Sequence, residues 1–376
     1  MVLVACRESR LLSVGFFDAG GVVDVPLPPV PDAGADAAMP AVDAQMPVDA
    51  LPSEPTPVVC PPLAPAPAGY ASVPSAALPN GTTGGLGGPT VVASTLQELT
   101  DYAVQTGPLV IQLATNFTAP AGTATLKVAS NKTIEGTARG AGLTGVGLWV
   151  DESSNVIIRQ LVIQKVPHDQ GDCVTIQHSD HVWVDHCDFF SDRLQPADAG
   201  VYDDLIDVVH ASDDVTISWN NLHDNWHPTL VGHTASDAGA VEDRNHLTVT
   251  YHHNYFNLAG TYNPRVRFGT VHVYNNVFED VDTGIISQMY ATVLVEGNIF
   301  DTVKVPITTA YDDPYQGAVA LNGNTNQFIN IKGANVINTT APWDPQNQLP
   351  YKYLADPTDG SANLRGVVTS CARPIW

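Results

Sequence analysis

The chain has 376 residues, with 16 Lys and Arg against 39 Asp and Glu, and a formal net charge of −23. This balance excludes binding of DNA or RNA through phosphates and docking on an anionic lipid surface, because both need clustered basic side chains. Hydrophobic residues make up 44% of the chain, which excludes wholesale disorder, and no apolar run reaches the about 18 residues of a membrane-spanning helix.

The first ten residues contain Leu3-Val4-Ala5-Cys6, a segment that matches the cleavage box of bacterial lipoproteins. In such proteins the cysteine becomes the lipid-bearing N-terminus, although most of the preceding apolar stretch is missing here. We interpret residues 1–10 as a remnant of a lipoprotein signal with a lipid anchor at Cys6, and we expect a secreted or cell-surface protein. The alternative is a chance match in an ordinary disordered N-terminus.

The next segment has a different composition from the rest of the chain. Lys and Arg are absent from position 11 to position 126, and residues 24–68 hold 13 prolines among Ala, Val and Asp. Proline removes a backbone donor and fixes φ, and these apolar residues are too small and scattered to form a core. The sequence therefore predicts a disordered acidic linker over residues 11–68 and a folded domain over residues 69–376.

Four cysteines remain if Cys6 carries lipid. Cys60 and Cys371 flank the folded region, and a disulfide between them would join its ends in an oxidising compartment. Cys173 and Cys187 lie in apolar strand patterns, where buried free thiols are equally compatible with the sequence.

A repeat organises the folded region. Asn254, Asn276 and Asn298 follow similar β-branched runs at intervals of 22 residues, with Asn220 lying 34 residues before Asn254 and Cys187 a further 33 before that. Such a strand repeat without helical intervals predicts a parallel β-helix, in which equivalent side chains stack on successive coils. An antiparallel sandwich would give no reason for one residue to recur at a fixed long interval.

Three acidic residues occupy comparable places in these coils. Asp172 lies 15 residues before Cys187, Asp207 lies 13 before Asn220, and Asp203 precedes Asp207 by four, which places both on one face of a strand. Carboxylates stacked this closely repel one another unless a cation lies among them, and all-oxygen ligation is typical of Ca²⁺. The alternative is a solvated acidic face.

Several longer segments resemble one family. They are TTGGLGGPTVV (82–92), SNKTIEG (130–136), VWVDHCDF (182–189), DDLIDVVHASDDVTISWNNLHD (203–224), LVGH (230–233), VTYHHNYFN (249–257) and NPRVRFGTVHVYNN (263–276). In this order they are similar to the pectate lyase/pectin lyase family. The resemblance covers about residues 69–376 and implies an all-β fold, a right-handed single-stranded parallel β-helix.

The resemblance also implies an activity, a cofactor and a partner. The family cleaves polygalacturonate by β-elimination, and its primary Ca²⁺ positions correspond to Asp172, Asp203 and Asp207. A further family Asp corresponds to Gln170, which indicates a weaker additional substrate-bridging Ca²⁺. Because acids rather than basic residues occupy this region, the sequence favours pectate over methylated pectin. The expected partner is pectin, polygalacturonate or another acidic polysaccharide, with no nucleic acid bound, and the expected state is a monomer.

Two positions depart from the family pattern. The family's catalytic base is the first Arg of an Arg-x-Pro-x-x-Arg motif, which here begins with Tyr262 and ends with Arg267. The family's substrate-binding Lys corresponds to His227. Arg265, inside the motif, is a candidate to replace the missing cation, and Trp226 is a candidate to stack on a sugar ring.

These departures leave three hypotheses. In the first, the chain is a calcium-dependent lyase with Tyr262 as base or acid, His227 neutralising the uronate, and Arg267 pairing with a carboxylate. In the second, catalysis is weak or lost and the groove only binds an acidic glycan. In the third, paired carboxylates serve a glycoside hydrolase on the same scaffold.

Overall fold

The computed structural model describes residues 58–193, 200–236, 241–353 and 361–376, with the side chains of residues 361 and 362 outside the description. Residues 1–57, which include the expected lipid anchor and most of the expected linker, lie outside these ranges. In the part of the chain that is described, we find no helix with the length and apolarity needed to cross a membrane.

The described chain is a stack of short strands with few helices. Two 3₁₀ turns cover Tyr70–Ser72 and His168–Gln170, and the α-helices are α1 (Leu96–Ala103), α2 (Pro345–Gln348) and α3 (Ser361–Cys371). The strands in chain order are β1 (Thr90–Ala93), β2 (Leu109–Leu113), β3 (Asn116–Thr118), β4 (Leu126–Val128), β5 (Lys132–Gly136), β6 (Gly142–Thr144), β7 (Leu148–Asp151), β8 (Ser154–Arg159), β9 (Val162–Gln164), β10 (Val174–Gln177), β11 (Asp180–Asp185), β12 (Asp188–Phe190), β13 (Ile206–Val209), β14 (Asp213–Ser218), β15 (Asn221–His223), β16 (Thr229–Val231), β17 (Thr248–His252), β18 (Tyr255–Asn257), β19 (Arg265–Arg267), β20 (Thr270–Tyr274), β21 (Val277–Glu279), β22 (Thr283–Gln288), β23 (Thr292–Glu296), β24 (Ile299–Asp301), β25 (Val305–Thr308), β26 (Ala318–Leu321) and β27 (Gln327–Ile329).

These strands form three parallel sheets, each of which takes one strand from each successive coil. The first sheet has the order β1-β2-β5-β8-β11-β14-β17-β20-β23-β26. The second has the order β25-β22-β19-β16-β13-β10-β7-β4, and the third β27-β24-β21-β18-β15-β12-β9-β6-β3. The prediction of an all-β parallel β-helix is therefore confirmed.

The core lies between the three sheets and consists of aligned apolar stacks. In the first sheet, Val215 pairs in register with Val249, which pairs with Val271 and so with Val293, and all four side chains are buried. In the third sheet, the rings of Phe256, Phe278 and Phe300 stack, with centroids 4.8 and 4.6 Å apart. Each coil therefore buries its apolar residues against the same residue type above and below.

The predicted asparagine ladder is confirmed. The side-chain amide of Asn220 donates to Asn254 at 3.1 Å, Asn254 to Asn276 at 3.0 Å, and Asn276 to Asn298 at 3.0 Å. The ladder continues from Asn298 to Asn326 at 3.1 Å, a step that the 28-residue spacing of that coil had concealed. Because every amide is buried and bonded, the ladder fixes the turn between the first and third sheets.

The two ends of the described domain are linked by a disulfide between Cys60 and Cys371, as the sequence suggested, while Cys173 and Cys187 are buried free thiols. Residues 58–68 run without helix or strand, and the carbonyl of Ala68 accepts a hydrogen bond from the Thr216 hydroxyl at 2.8 Å. The domain boundary at residue 69 remains a prediction.

Candidate active site

The candidate site residues lie just before, or within, four neighbouring strands of the second sheet, β10, β13, β16 and β19. Backbone hydrogen bonds of 2.9 Å join these coils in turn: Val174 donates to the carbonyl of Leu205, Leu205 to Pro228, and Thr229 to Tyr262. Equivalent positions on adjacent coils are about 4.8 Å apart. The coils therefore stack Asp172, then Asp203 to Asp207, then His227, then Tyr262, in one column.

Four carboxylates, Asp172, Asp203, Asp204 and Asp207, form what we call the carboxylate cluster. Burial, reinforced by repulsion from Asp203, raises the pKa of Asp172 to about 7. Burial followed by repulsion from Asp172 also raises the pKa values of Asp204 and Asp207 well above the ordinary aspartate value. A cation among these groups would remove the repulsion and restore the charged forms.

One oxygen atom of the carboxylate cluster is free to bind a cation. The Oδ1 atom of Asp207 is buried and has no hydrogen-bond partner, although an ionised carboxylate oxygen is an acceptor that normally has one. The donors of the cluster are all oxygen atoms, which suits Ca²⁺. The chemistry of the residues present therefore fits calcium.

The donor atoms of the three predicted calcium ligands do not all lie close to one another. Within the described ranges, Asp172, Asp203 and Asp207 are not among the groups that place three donor atoms within 4.8 Å of one another. Asp203, with its side chain 37% exposed, pairs with His168 at 3.1 Å instead. Carboxylates of like charge repel one another, which favours this open arrangement.

The structure corrects one placement and adds one ligand candidate. β13 begins at Ile206, so Asp203 lies in the connection before the strand and not on its face with Asp207. Asp204, which was not among the predicted ligands, is buried and interacts electrostatically with Asp172 and Asp207. The Asp203-Asp204 doublet was the available signal for it.

His227 and Tyr262, the two positions at which the sequence departs from the family pattern, lie against each other. The His227 and Tyr262 rings have centroids 4.6 Å apart, and the backbone N–H of His227 donates to the Asn225 side chain at 2.7 Å. Burial, with Arg265 nearby, lowers the pKa of His227 despite the opposing effect of Asp203. Burial raises the pKa of Tyr262, although Arg265 opposes this. His227 is therefore a neutral imidazole and Tyr262 a neutral phenol near pH 7.

The two arginines of the motif are already paired within the protein. Arg265, 2% exposed, donates to the Tyr262 hydroxyl and pairs with Asp312 and, at 2.8 Å, with Asp313. Arg267 pairs with the other oxygen of Asp313 at 2.8 Å and donates to the Gly232 carbonyl. The loop carrying Asp312 and Asp313, which our sequence interpretation missed, lies 46 or more residues further along the chain.

The remaining predicted residues lie at the edges of this column. The guanidinium of Arg193 lies 4.2 Å from the centroid of the half-buried Trp226 ring and also pairs with Asp282 at 2.6 Å. Gln170 ends the 3₁₀ turn just before Asp172, and its carbonyl accepts a hydrogen bond from Thr125. The sugar-binding roles of Trp226 and Gln170 remain predictions.

Comparison with known proteins decides the family. The profile of the pectate lyase family matches residues 61–370. The chain belongs to the pectate lyase family. Pectate lyase A of Aspergillus niger is 42% identical over 248 residues, which cover 66% of this chain and 71% of the relative. Pectate lyase plyB of Emericella nidulans is 39% identical over 252 residues, which cover 65% of this chain and 75% of the relative.

Solved structures agree with this assignment. A pectate lyase from Bacillus sp. N165, in complex with trigalacturonate, has a TM-score of 0.69 and 30% identity, and the match covers 82% of this chain and 98% of that one. The family resemblance found in the sequence is thus confirmed, and this pectate lyase-type chain is an enzyme of the polysaccharide lyase class.

Proposed function

We propose that this chain cleaves polygalacturonate by β-elimination, with Ca²⁺ held by the carboxylate cluster and with His227 and Tyr262 transferring the protons. The observation that carries the proposal is the contact between His227 and Tyr262 one coil away from the four carboxylates. This arrangement supplies a proton acceptor, a proton donor and a cation-binding surface in one column.

The proton transfers follow from the protonation states. Neutral His227 accepts the proton from C5 of the uronate ring, because its lowered pKa leaves the imidazole free to act as a base. The electrons of the C5–H bond form the C4–C5 double bond, and the C4–O bond breaks. Tyr262 gives its proton to the departing oxygen, which its raised pKa allows because the phenol is protonated. The role expected for His227 therefore shifts from neutralising the uronate to accepting its proton.

Arg265 supports the donor in this scheme. Its guanidinium donates to the Tyr262 oxygen, so the phenolate left after proton transfer is stabilised by a charge-assisted hydrogen bond. Asp312 and Asp313 hold Arg265 in place. Arg265 and Arg267 are thereby compensated by protein carboxylates and contribute little net charge to hold a uronate.

The charge of the domain makes a bound cation important for substrate binding. Residues 69–376 carry 31 acids and 14 bases, so the domain repels a polyanion. A bound Ca²⁺ would supply positive charge that offsets this repulsion and stabilises the negative charge developing during the elimination. Asp172, Asp203 and Asp207, with Asp204, are the residues that would hold it.

An assay on polygalacturonate, methylated pectin and alginate tests the proposal. We expect calcium-dependent release of unsaturated uronides from polygalacturonate, followed by their ultraviolet absorbance, and loss of both binding and cleavage with a chelator. Binding without cleavage would favour the acidic-glycan-binding alternative, and saturated reducing ends would favour a glycoside hydrolase. Binding that survives chelation would overturn the cation assignment.

We also propose that the protein acts outside the cytoplasm. The disulfide between Cys60 and Cys371 supports this location, because such bonds persist in oxidising compartments. A lipid anchor at Cys6 and a monomeric state are further parts of the proposal. The intact mass of the mature N-terminus tests the anchor, and light scattering of the purified protein tests the monomer.

A further inference from the structure

A second cluster of side chains that can bind a metal lies at the C-terminal ends of β10, β13 and β16. The carboxylate cluster lies at the N-terminal ends of β10 and β13. His178 comes directly after β10, His210 directly after β13, and His233 two residues after β16. We call these three residues the histidine ladder. Asp172 and His178 are six residues apart, so the ladder lies roughly 15–20 Å along the sheet from the carboxylate cluster.

The backbone gives the ladder its alignment. His178 and His210 both adopt positive φ angles, 47° and 51°, and the His178 N–H donates to the carbonyl of His210 at 2.9 Å. Their rings stack with centroids 5.1 Å apart, and the His210 and His233 rings stack at 3.8 Å. Three imidazoles from successive coils therefore present their edges to the same side.

A single carboxylate spans these edges. Glu242 places one oxygen 3.1 Å from Nε2 of His178 and the other 3.1 Å from Nδ1 of His210. The donor atoms of His178, His210 and Glu242 all lie within 4.8 Å of one another. Within the described ranges, no three residues of the carboxylate cluster place donor atoms this close to one another.

The surrounding residues orient His178 and the segment that carries Glu242. Nδ1 of His178 faces Asp151 at 3.4 Å, which directs Nε2 towards Glu242, and Gln177 donates to the same Asp151 oxygen. Fully buried Asp243 accepts from the Ala211 backbone at 2.9 Å, which fixes the segment that carries Glu242. A carboxylate on the far nitrogen of a ligating imidazole is the usual outer support of a metal site.

We propose that His178, His210 and Glu242 form a binding site for a divalent transition metal of the Zn²⁺ type, separate from the calcium site. Two imidazoles and one carboxylate suit zinc, whereas calcium prefers oxygen donors alone. The side chains are 44%, 30% and 34% exposed, so an ion reaches the site from solvent and keeps a water ligand. The ion joins two coils and the segment that carries Glu242.

The test uses tag-free protein stripped of metal with a chelator and then dialysed. Zinc is titrated against a competing chromophoric chelator in the presence of saturating Ca²⁺, which occupies the all-oxygen site. We expect one equivalent of Zn²⁺ to bind and its affinity to be unchanged by Ca²⁺. Failure of zinc to bind, or full displacement by Ca²⁺, overturns the proposal.

Matched variants locate the ion. His178→Asn and His210→Asn keep a residue that tolerates positive φ, and each is expected to weaken zinc binding by at least about tenfold. His246→Asn is the control, because the exposed His246 side chain pairs with Asp213 at 2.6 Å and belongs to none of the three-donor groups found among the described residues. Equal weakening in all three variants, or none in the first two, contradicts the assignment.

A spectroscopic readout covers the case in which a ladder variant folds poorly. Glu242→Gln keeps the side-chain shape, and circular dichroism and the melting temperature check its fold. With Cu²⁺ as the probe, the electron paramagnetic resonance spectrum of the wild type should show hyperfine coupling to two imidazole nitrogens. A spectrum without nitrogen coupling overturns the site. Lyase activity in Ca²⁺ is measured in parallel as a test of the calcium site, so that failure of the proposed function is distinguished from failure of the zinc proposal.

Discussion

The ring of His227 lies 4.6 Å from the ring of Tyr262, centroid to centroid, at the two positions where the pectate lyase/pectin lyase pattern has a lysine and an arginine. An imidazole and a phenol in contact thus take the place of two fixed cations of that pattern. In the mechanism we propose, this pair still accepts and donates a proton, while the fixed positive charge of the pattern is lost. We therefore propose that a cation in the carboxylate cluster holds the substrate instead.

Removing the Tyr262 hydroxyl should slow the chemical step. In Tyr262→Phe the ring still packs on His227, but no proton donor remains, so we expect kcat on polygalacturonate to fall by about 10²–10⁴-fold with KM little changed. Tyr311→Phe is the matched control, because the Tyr311 ring meets Tyr262 edge-on at 6.4 Å without a place in the proton path. Equal activity of Tyr262→Phe and wild type would remove Tyr262 from the mechanism.

The pH dependence should report His227. Burial lowers its pKa, so the imidazole is neutral at and above the ordinary histidine value of about 6.5 and gains a proton only in more acidic solution. Because a base must be unprotonated, we expect kcat to hold constant around neutral pH and to fall on acidification through the lowered pKa. In His227→Gln this acidic limb should disappear together with most of the rate. An unchanged limb in that variant would assign it to another group.

Asp172 should destabilise the protein when no cation is bound. An aspartate in the unfolded chain has a pKa of about 3.9, whereas burial and Asp203 raise the pKa of Asp172 to about 7. Between these values the folded state holds the extra proton, so stability decreases as the pH rises through this window. Asp172→Asn keeps an acceptor for the Thr175 hydroxyl and should raise the melting temperature at pH 7 in chelator.

Calcium should reverse the order of the melting temperatures of the wild type and Asp172→Asn. Added Ca²⁺ is expected to stabilise the wild type and to leave Asp172→Asn nearly unaffected, because the variant lacks one charged ligand. Asp169→Asn is the control, since exposed Asp169 lies in the neighbouring 3₁₀ turn. Stabilisation of Asp172→Asn by calcium equal to that of the wild type would place the ion elsewhere.

The asparagine ladder should contribute strongly to stability. Asn276 is fully buried, accepts from the Asn254 side chain and donates to Asn298, each at 3.0 Å. Asn276→Ala leaves buried polar groups unpaired above and below, so we expect the free energy of unfolding to fall by about 2–5 kcal/mol. Asn257→Ala, at a half-buried end of β18, should cost under about 1 kcal/mol in the same denaturant titration. A similar loss of unfolding free energy in both variants would show that the asparagine ladder does not contribute specially to stability.

The sequence by itself determined the coil architecture of this protein. Asn254, Asn276 and Asn298 recur at 22-residue intervals because each coil of a parallel β-helix repeats the same turn. The spacing is therefore sufficient to predict the fold. Asp172 and Asp207 could be found by counting from those turns. Asp203 could also be found, although counting wrongly placed it on the strand, because a period does not show where a loop ends.

The tertiary structure alone decided how the irregular connections complete the sites. Arg267 pairs with Asp313, 46 residues away, and Glu242 meets His178, 64 residues away, and neither spacing follows the coil period. The His227–Tyr262 contact likewise depends on β16, a short strand within the long connection between β15 and β17. A regular coil repeats its own neighbours, so its contacts can be read along the chain. A loop brings together residues according to its own conformation, which the period does not encode.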